Sequence, residues 1–150
     1  ASAPRLGLKA DVISGDGNLQ DHRMETFNPL YPKLPYFSEA NLATPANLLD
    51  VQPNLRLSPA ARMNLMVSWN WLWKHESADA FYAPLLVPVP GTAGTPSREI
   101  GWQASALMEW TVSNRMDLGV TYVIFEPASA IRNVGGHAGR FFTTWIRWTH

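Results

Sequence analysis

Six stretches of the chain alternate apolar and polar residues with a period of two. In "MNLMVSWNWLW", Met63, Leu65, Val67, Trp69, Trp71 and Trp73 share one face, opposite Asn64, Met66, Ser68, Asn70 and Leu72. In "REIGWQASALMEWTV", Ile100, Trp102, Ala104, Ala106, Met108, Trp110 and Val112 oppose Glu99, Gly101, Gln103, Ser105 and Glu109. "NLLDVQPNLRL", "RLGLKADVI" and "MDLGVTYVIF" repeat the rule, while "GRFFTTWIRW" breaks it at Phe141 and Trp145. A helix would place apolar residues every three or four positions, and none of these stretches does so. They predict strands near 5–13, 47–57, 63–73, 98–112, 116–126 and 139–148. Pro53 lies within one of them on its apolar side, where a missing N–H predicts a bulge or local break.

All six strands are longer than the globular average of about 5 or 6 residues, and their length favours the roughly 9–11 needed to cross a bilayer. Long and short connections alternate: 14–46, then "SPAAR" at 58–62, then 75–97, then "SNR" at 113–115, then 126–139. Outer-membrane barrels have this asymmetry, with short periplasmic turns and long outer loops. The expected fold class is therefore all-β: an antiparallel up-and-down transmembrane β-barrel with about six strands present. Six strands are too few for a closed single-chain barrel, the smallest having about eight, so the chain is expected to form part of a larger one. Trp102 and Trp110 lie roughly 26 Å apart along a strand at about 3.3 Å per residue. With Trp69, Trp71, Trp73 and Trp148 they are expected to form aromatic girdles facing lipid.

Composition narrows the partners. Charged residues make up 16% of the chain and the net charge is zero, which argues against a nucleic-acid partner. The absence of cysteine excludes disulfides and thiolate chemistry within these residues. No apolar run approaches the about 18 residues of a membrane helix. The chain starts at Ala1 without a leader-like segment, so a targeting segment is expected to be absent or already removed.

The stretch "TFNPLYPKLPYF" (26–37) packs Pro29, Pro32 and Pro35 among Phe27, Tyr31, Tyr36 and Phe37. Prolines exclude a helix interior or a central strand there. Together "DVISGDGNLQD", "TFNPLYPKLPYFSEA", "PANLLDVQPNLRLSP", "EIGWQASALMEW" and the closing "WIRW" resemble the C-terminal portion of the alginate-export family of bacterial outer-membrane barrels. The resemblance covers nearly the whole chain and about the last third of a typical member. It implies a large single-chain barrel in the bacterial outer membrane, passing polysaccharide or small solutes.

Two sets of residues are candidates for function. The proline-aromatic segment, with Phe27, Asn28, Pro29, Tyr31, Pro32, Tyr36 and Phe37, is expected to fold over or into the pore mouth; the alternative is a loop packed on its neighbours. Strand parity turns Arg5, Lys9, Arg56, Lys74 and Arg147 inward, with Asp11, Asp50, Glu99, Glu109 and Asp117. Arg5, Lys9 and Arg56 could form an anion-guiding stripe, or pair with lumenal carboxylates, as Arg56 with Asp11 or Asp50. Expected partners are membrane lipid and lipopolysaccharide, an anionic polysaccharide or small solutes, and the remainder of the parent barrel.

Other motifs point less far. Asp16, Asn18 and Asp21 in "SGDGNLQD" suit turn chemistry better than a calcium loop, which needs Gly at its sixth position and Glu at its twelfth. "GTAGTP" and "GGHAG" lack the Gly-Lys-Ser/Thr of a phosphate loop. His22, His75, His137 and His150 lack metal-ligand spacing, so no metal or cofactor is expected. His75 with Ser77 is the nearest match to the Ser–His pair of lipid-modifying barrel enzymes, but no enzyme is expected. The competing class is a soluble all-β carbohydrate-binding module whose tryptophans stack on sugars.

Overall fold

The computed structural model describes residues 4–31 and 35–149. Among them, six long strands build one antiparallel sheet: β1 (Arg5–Ile13), β2 (Leu48–Leu57), β3 (Met63–Trp73), β6 (Glu99–Ser113), β7 (Met116–Pro127) and β8 (Gly139–Trp148). Between β3 and β6 lies a small hairpin, β4 (Tyr82–Ala83) with β5 (Val87–Pro88). A single helical turn, α1 (Ser129–Arg132), follows β7. Neither the hairpin nor the turn carries enough periodicity to be read in advance.

Each long strand pairs with the next in chain order, so the sheet is a meander. Antiparallel meandering puts the three long connections at one end and the two short turns at the other. Among the described residues β1 and β8 do not pair with each other, and the sheet is not closed. No helix here is long and apolar enough to cross a membrane, which says nothing of crossing by strands.

The sheet is inverted relative to a water-soluble one. A row of side chains runs across all six strands through successive register partners: Leu6, Leu55, Val67, Ala106, Tyr122 and Phe142. This apolar face is the outward one: Leu6 is 86% and Phe142 66% exposed. The opposite, inner face holds Asp50, Gln52, Ser68, Asn70, Gln103, Ser105 and Thr121, all buried. Burial therefore follows polarity in reverse.

The compact apolar core sits at the long-connection end. Leu48, Leu72 and Ile100, from the ends of β2, β3 and β6, meet Ala43, Phe81 and Ile131 from the three connections. Ile13, Phe37, Val89 and Phe125 pack around them. Each connection thus contributes a residue to one plug.

One departure from simple parity matters, and it is not at the proline. Pro53 causes no register shift: β2 meets β3 in the same register above it (Val51 with Trp71) and below it (Asn54 with Ser68), and only the pairs between drop out of the ladder. Register shifts lie instead at the two ends of β6, against β7 between Thr111 and Ser113 and against β3 where β6 begins. Leu72 faces Gly101 but Trp73 faces Glu99, leaving Ile100 as an extra residue. Gly101 takes φ of 142°, a conformation suited to glycine. Ile100, expected on the apolar outward face, is instead 0% exposed in the core.

Phe141 and Trp145 break the alternation of β8 because both lie on the inner face. Phe141 is opposite buried Val123, and Trp145 is opposite Gly119. The Trp145 ring occupies the space that a side chain at position 119 would fill.

Candidate functional site

The inner face is built from alternate residues of each strand, and its middle is a polar ladder. Gly7, Asn54, Ser68 and Ser105 are successive register partners. The hydroxyls of Ser68 and Ser105 share a hydrogen bond of 2.7 Å, and Gln52 Nε2 donates to Ser68 Oγ at 3.3 Å. Asp50, Asn70 and Thr121 carry buried polar atoms with no hydrogen-bond partner among the described residues.

Nearer the short turns, Arg5 stands directly opposite Arg56. With Asn64, Met66, Leu107 and Glu109 they line a hollow of about 470 Å³. Neither arginine joins an ion pair among the described residues. Like charges directly opposite on one face are unfavourable, and the Glu109 carboxylate supplies one negative charge to the same hollow.

The remaining parity-assigned charges fall into distinct environments. Lys9 Nζ lies 3.0 Å from Asp11 Oδ2, so Lys9 leaves the expected stripe and is paired. Arg147 donates twice to Asp117 Oδ2, at 3.1 and 2.8 Å, and Thr111 Oγ1 donates to Asp117 Oδ1 at 2.7 Å. Asp50 is buried opposite Asp11 in the register, and Arg56 pairs with neither. Glu109 faces Asn64 and Gly119 on the inner side.

Two expectations are corrected. Glu99 does not line the interior: the extra residue Ile100 reverses its parity and puts it opposite outward-facing Trp73. Lys74 is not a free pore cation, because the strand has ended at Trp73 and its side chain turns into the outer connections. Fully buried there, its ammonium donates to the carbonyls of Ser77, Asp79 and Thr92 at 3.0, 3.2 and 2.6 Å and to Thr95 Oγ1 at 3.2 Å. Burial draws its pKa below the ordinary lysine value, with Asp79 opposing and Arg98 adding to the shift.

The proline-aromatic segment divides into two. Phe27, Asn28 and Tyr31 are exposed, Tyr31 at 96%, and Pro29 is half-buried. Pro32 lies outside the described residues. Tyr36 and Phe37 turn onto the inner face, edge to face with ring centroids 4.7 Å apart. Tyr36 OH donates to Asp11 Oδ2 at 3.0 Å, and Lys9 Nζ lies 3.7 Å from the Tyr36 centroid and 4.7 Å from that of Phe37. Phe37 also touches the apolar plug. Residues 35–37 thus strap the first connection onto the Lys9–Asp11 pair.

Above the strap, Asp79 ties two connections together. Its Oδ2 accepts from Asp16 N at 3.0 Å and Thr26 Oγ1 at 2.5 Å; its Oδ1 accepts from Ala80 N and Tyr82 OH, both at 2.7 Å. Asn47, fully buried at φ 46°, donates to the carbonyls of Glu76 and Ala80 and accepts from Glu76 N. No pattern in the sequence marks Asp79 or Asn47, since their partners lie up to 63 residues away. Asp16, Asn18 and Asp21 act as turn acceptors for the N–H two residues on, at 2.9, 3.2 and 3.0 Å. His75 Nδ1 accepts from Gly15 N at 3.4 Å, and no hydrogen bond joins it to Ser77 among the described residues.

Six of the seven tryptophans occupy the outward face at two heights, Trp145 being the exception. Trp69 stacks on Trp102 with centroids 4.1 Å apart, Trp71 lies 6.1 Å from Trp69, and Trp73 follows at the long-connection end. Trp110, opposite Met63 and Leu118, and Trp148, opposite Met116, mark the short-turn end.

The architecture is that of an all-β protein with a six-stranded antiparallel sheet, apolar outside and polar within. The family model for alginate export matches residues 1–144, and the chain belongs to that family. Membership supports a role in polysaccharide export at the family level. Neither a curated protein nor a solved structure matches the chain.

Proposed function

We propose that the chain is a section of the wall of an outer-membrane β-barrel channel through which an anionic polysaccharide of the alginate type passes. The observation that carries this reading is the inverted sheet. Its unbroken apolar row from Leu6 to Phe142 suits hydrocarbon, and its inner face suits a wet lumen. Unpartnered buried polar atoms cost about 1–3 kcal/mol each, and their presence on the inner face at Asp50, Asn70 and Thr121 suits the wall of a polar lumen rather than a dry apolar core. An open sheet edge in lipid would leave backbone groups unsatisfied, so β1 and β8 are continued by further strands of the parent barrel. Transport is passive: Arg5 and Arg56 attract carboxylates without enclosing them, while the Tyr36–Phe37 strap narrows the path.

The test uses the complete parent chain in a planar bilayer. Replacing Tyr36 and Phe37 together by alanine is expected to raise single-channel conductance, and alginate is expected to block both forms. Conductance indifferent to alginate would reduce the reading to a general porin. A chain that stays soluble without detergent and conducts nothing would restore the carbohydrate-binding module.

A further inference from the structure

We infer that the first and second long connections form a separate binding pocket for a hexuronate unit of the exported chain, outside the lumen. This rests on the polysaccharide reading above and adds a second contact point to it. A pocket of about 500 Å³ lies between the two connections, within the size range of small-ligand sites. Arg23, His22 and Asn28 supply its polar wall; Leu19, Met24 and Leu86 supply its apolar one.

That combination suits a sugar acid. A pyranose ring offers an apolar face and a rim of hydroxyls, and a hexuronate adds one carboxylate. Arg23 joins no ion pair among the described residues, so its guanidinium is available for bidentate contact with that carboxylate. Asn28 can both donate to and accept from ring hydroxyls. Asp16, also lining the pocket, has Oδ1 engaged by Asn18 N, leaving Oδ2 to accept from a hydroxyl.

The walls are fixed in place before any ligand arrives. Thr26, Tyr82 and the Asp16 backbone all bond the Asp79 carboxylate behind the pocket. Arg23 N donates to Asp21 Oδ1 at 3.0 Å, which fixes the backbone at the base of the guanidinium arm. Left-handed backbone gathers here as well. His22 (φ 62°) and Leu86 (φ 58°) line the pocket, and Leu85 (φ 64°) adjoins it. Such conformations at bulky residues persist only where the surroundings enforce them, and they cluster at ligand clamps. None of these residues belongs to the lumen, the strap or the Arg5–Arg56 hollow.

Isothermal titration calorimetry on the complete parent chain in detergent micelles tests the pocket, with a mannuronate tetramer as probe. The lumen is first weakened by Arg5→Gln and Arg56→Gln. In that background the tetramer is expected to retain one saturable site, and adding Arg23→Gln should lower its affinity about tenfold or more. Asn28→Ala should weaken it less. A neutral mannose tetramer should not bind. Affinity unchanged by Arg23→Gln, or equal binding of the neutral tetramer, overturns the assignment. Bilayer conductance of the unsubstituted parent chain reports on the channel separately: a conducting chain without an Arg23-dependent site loses the pocket alone, and a chain that does not conduct loses the channel reading.

Discussion

Tyr36 and Tyr82 do the same work from two connections: each is half-buried and donates a hydrogen bond from its phenol to a carboxylate, Asp11 and Asp79 respectively. Burial, followed by the hydrogen bond each phenol donates to its carboxylate, pushes both pKa values up to about 12 from 10.0. A raised folded-state value means the protonated phenol favours the native form. Its contribution is whole below pH 10 and disappears as pH rises through about 12. Phenolate absorbance of the folded chain should therefore show two tyrosines ionising near pH 12 and moving to about 10 on unfolding; ionisation of both near 10 in the folded state would contradict the docked strap and the Asp79 junction. Individual roles were the hardest thing to read in the sequence. Parity assigned Lys9, Asp11, Asp117 and Arg147 to one face, but it carries no information on which charges meet. It failed for Lys74, where the chain leaves the pleat, and it was silent on Asp79, whose partners come from another connection.

At the scale of single strands the sequence was far more legible, because a two-residue period survives any amount of solvent or lipid on the outer side. The limits are equally physical. One inserted residue reverses facing, so the extra Ile100 misdirected Glu99, and nothing but the Gly101 that follows hinted at it. The uneven alternation of β8 has a steric explanation: Trp145 covers Gly119 on the neighbouring strand. Gly119→Val should displace that ring and cost about 1–3 kcal/mol through overpacking. The loss should appear as a lower melting temperature of the complete chain in detergent, whereas Gly139→Ala, with open space around it, should leave the transition in place.

Across the whole molecule, the reversed distribution of polarity is the property that alternation, length and loop asymmetry jointly foreshadowed; the plug uniting the three connections was not, since no local period encodes it. If the outward face meets hydrocarbon, Val67→Arg in the middle of β3 should cost roughly 2–4 kcal/mol. Asn64→Arg, on the inner face of the same strand opposite Glu109, should cost little and shift ion selectivity toward anions. Denaturant titration of the complete chain refolded into vesicles measures the first, reversal potentials the second, and equal costs at both positions would contradict the orientation. The Asp79 carboxylate, finally, draws donors from two hairpins that cross independently. Neither hairpin can settle its outer turn until the other has arrived. If the sheet is part of a membrane barrel, the rim sets late and all at once, after insertion, and the nascent barrel passes through a stage already in the bilayer but still unfinished at its mouth.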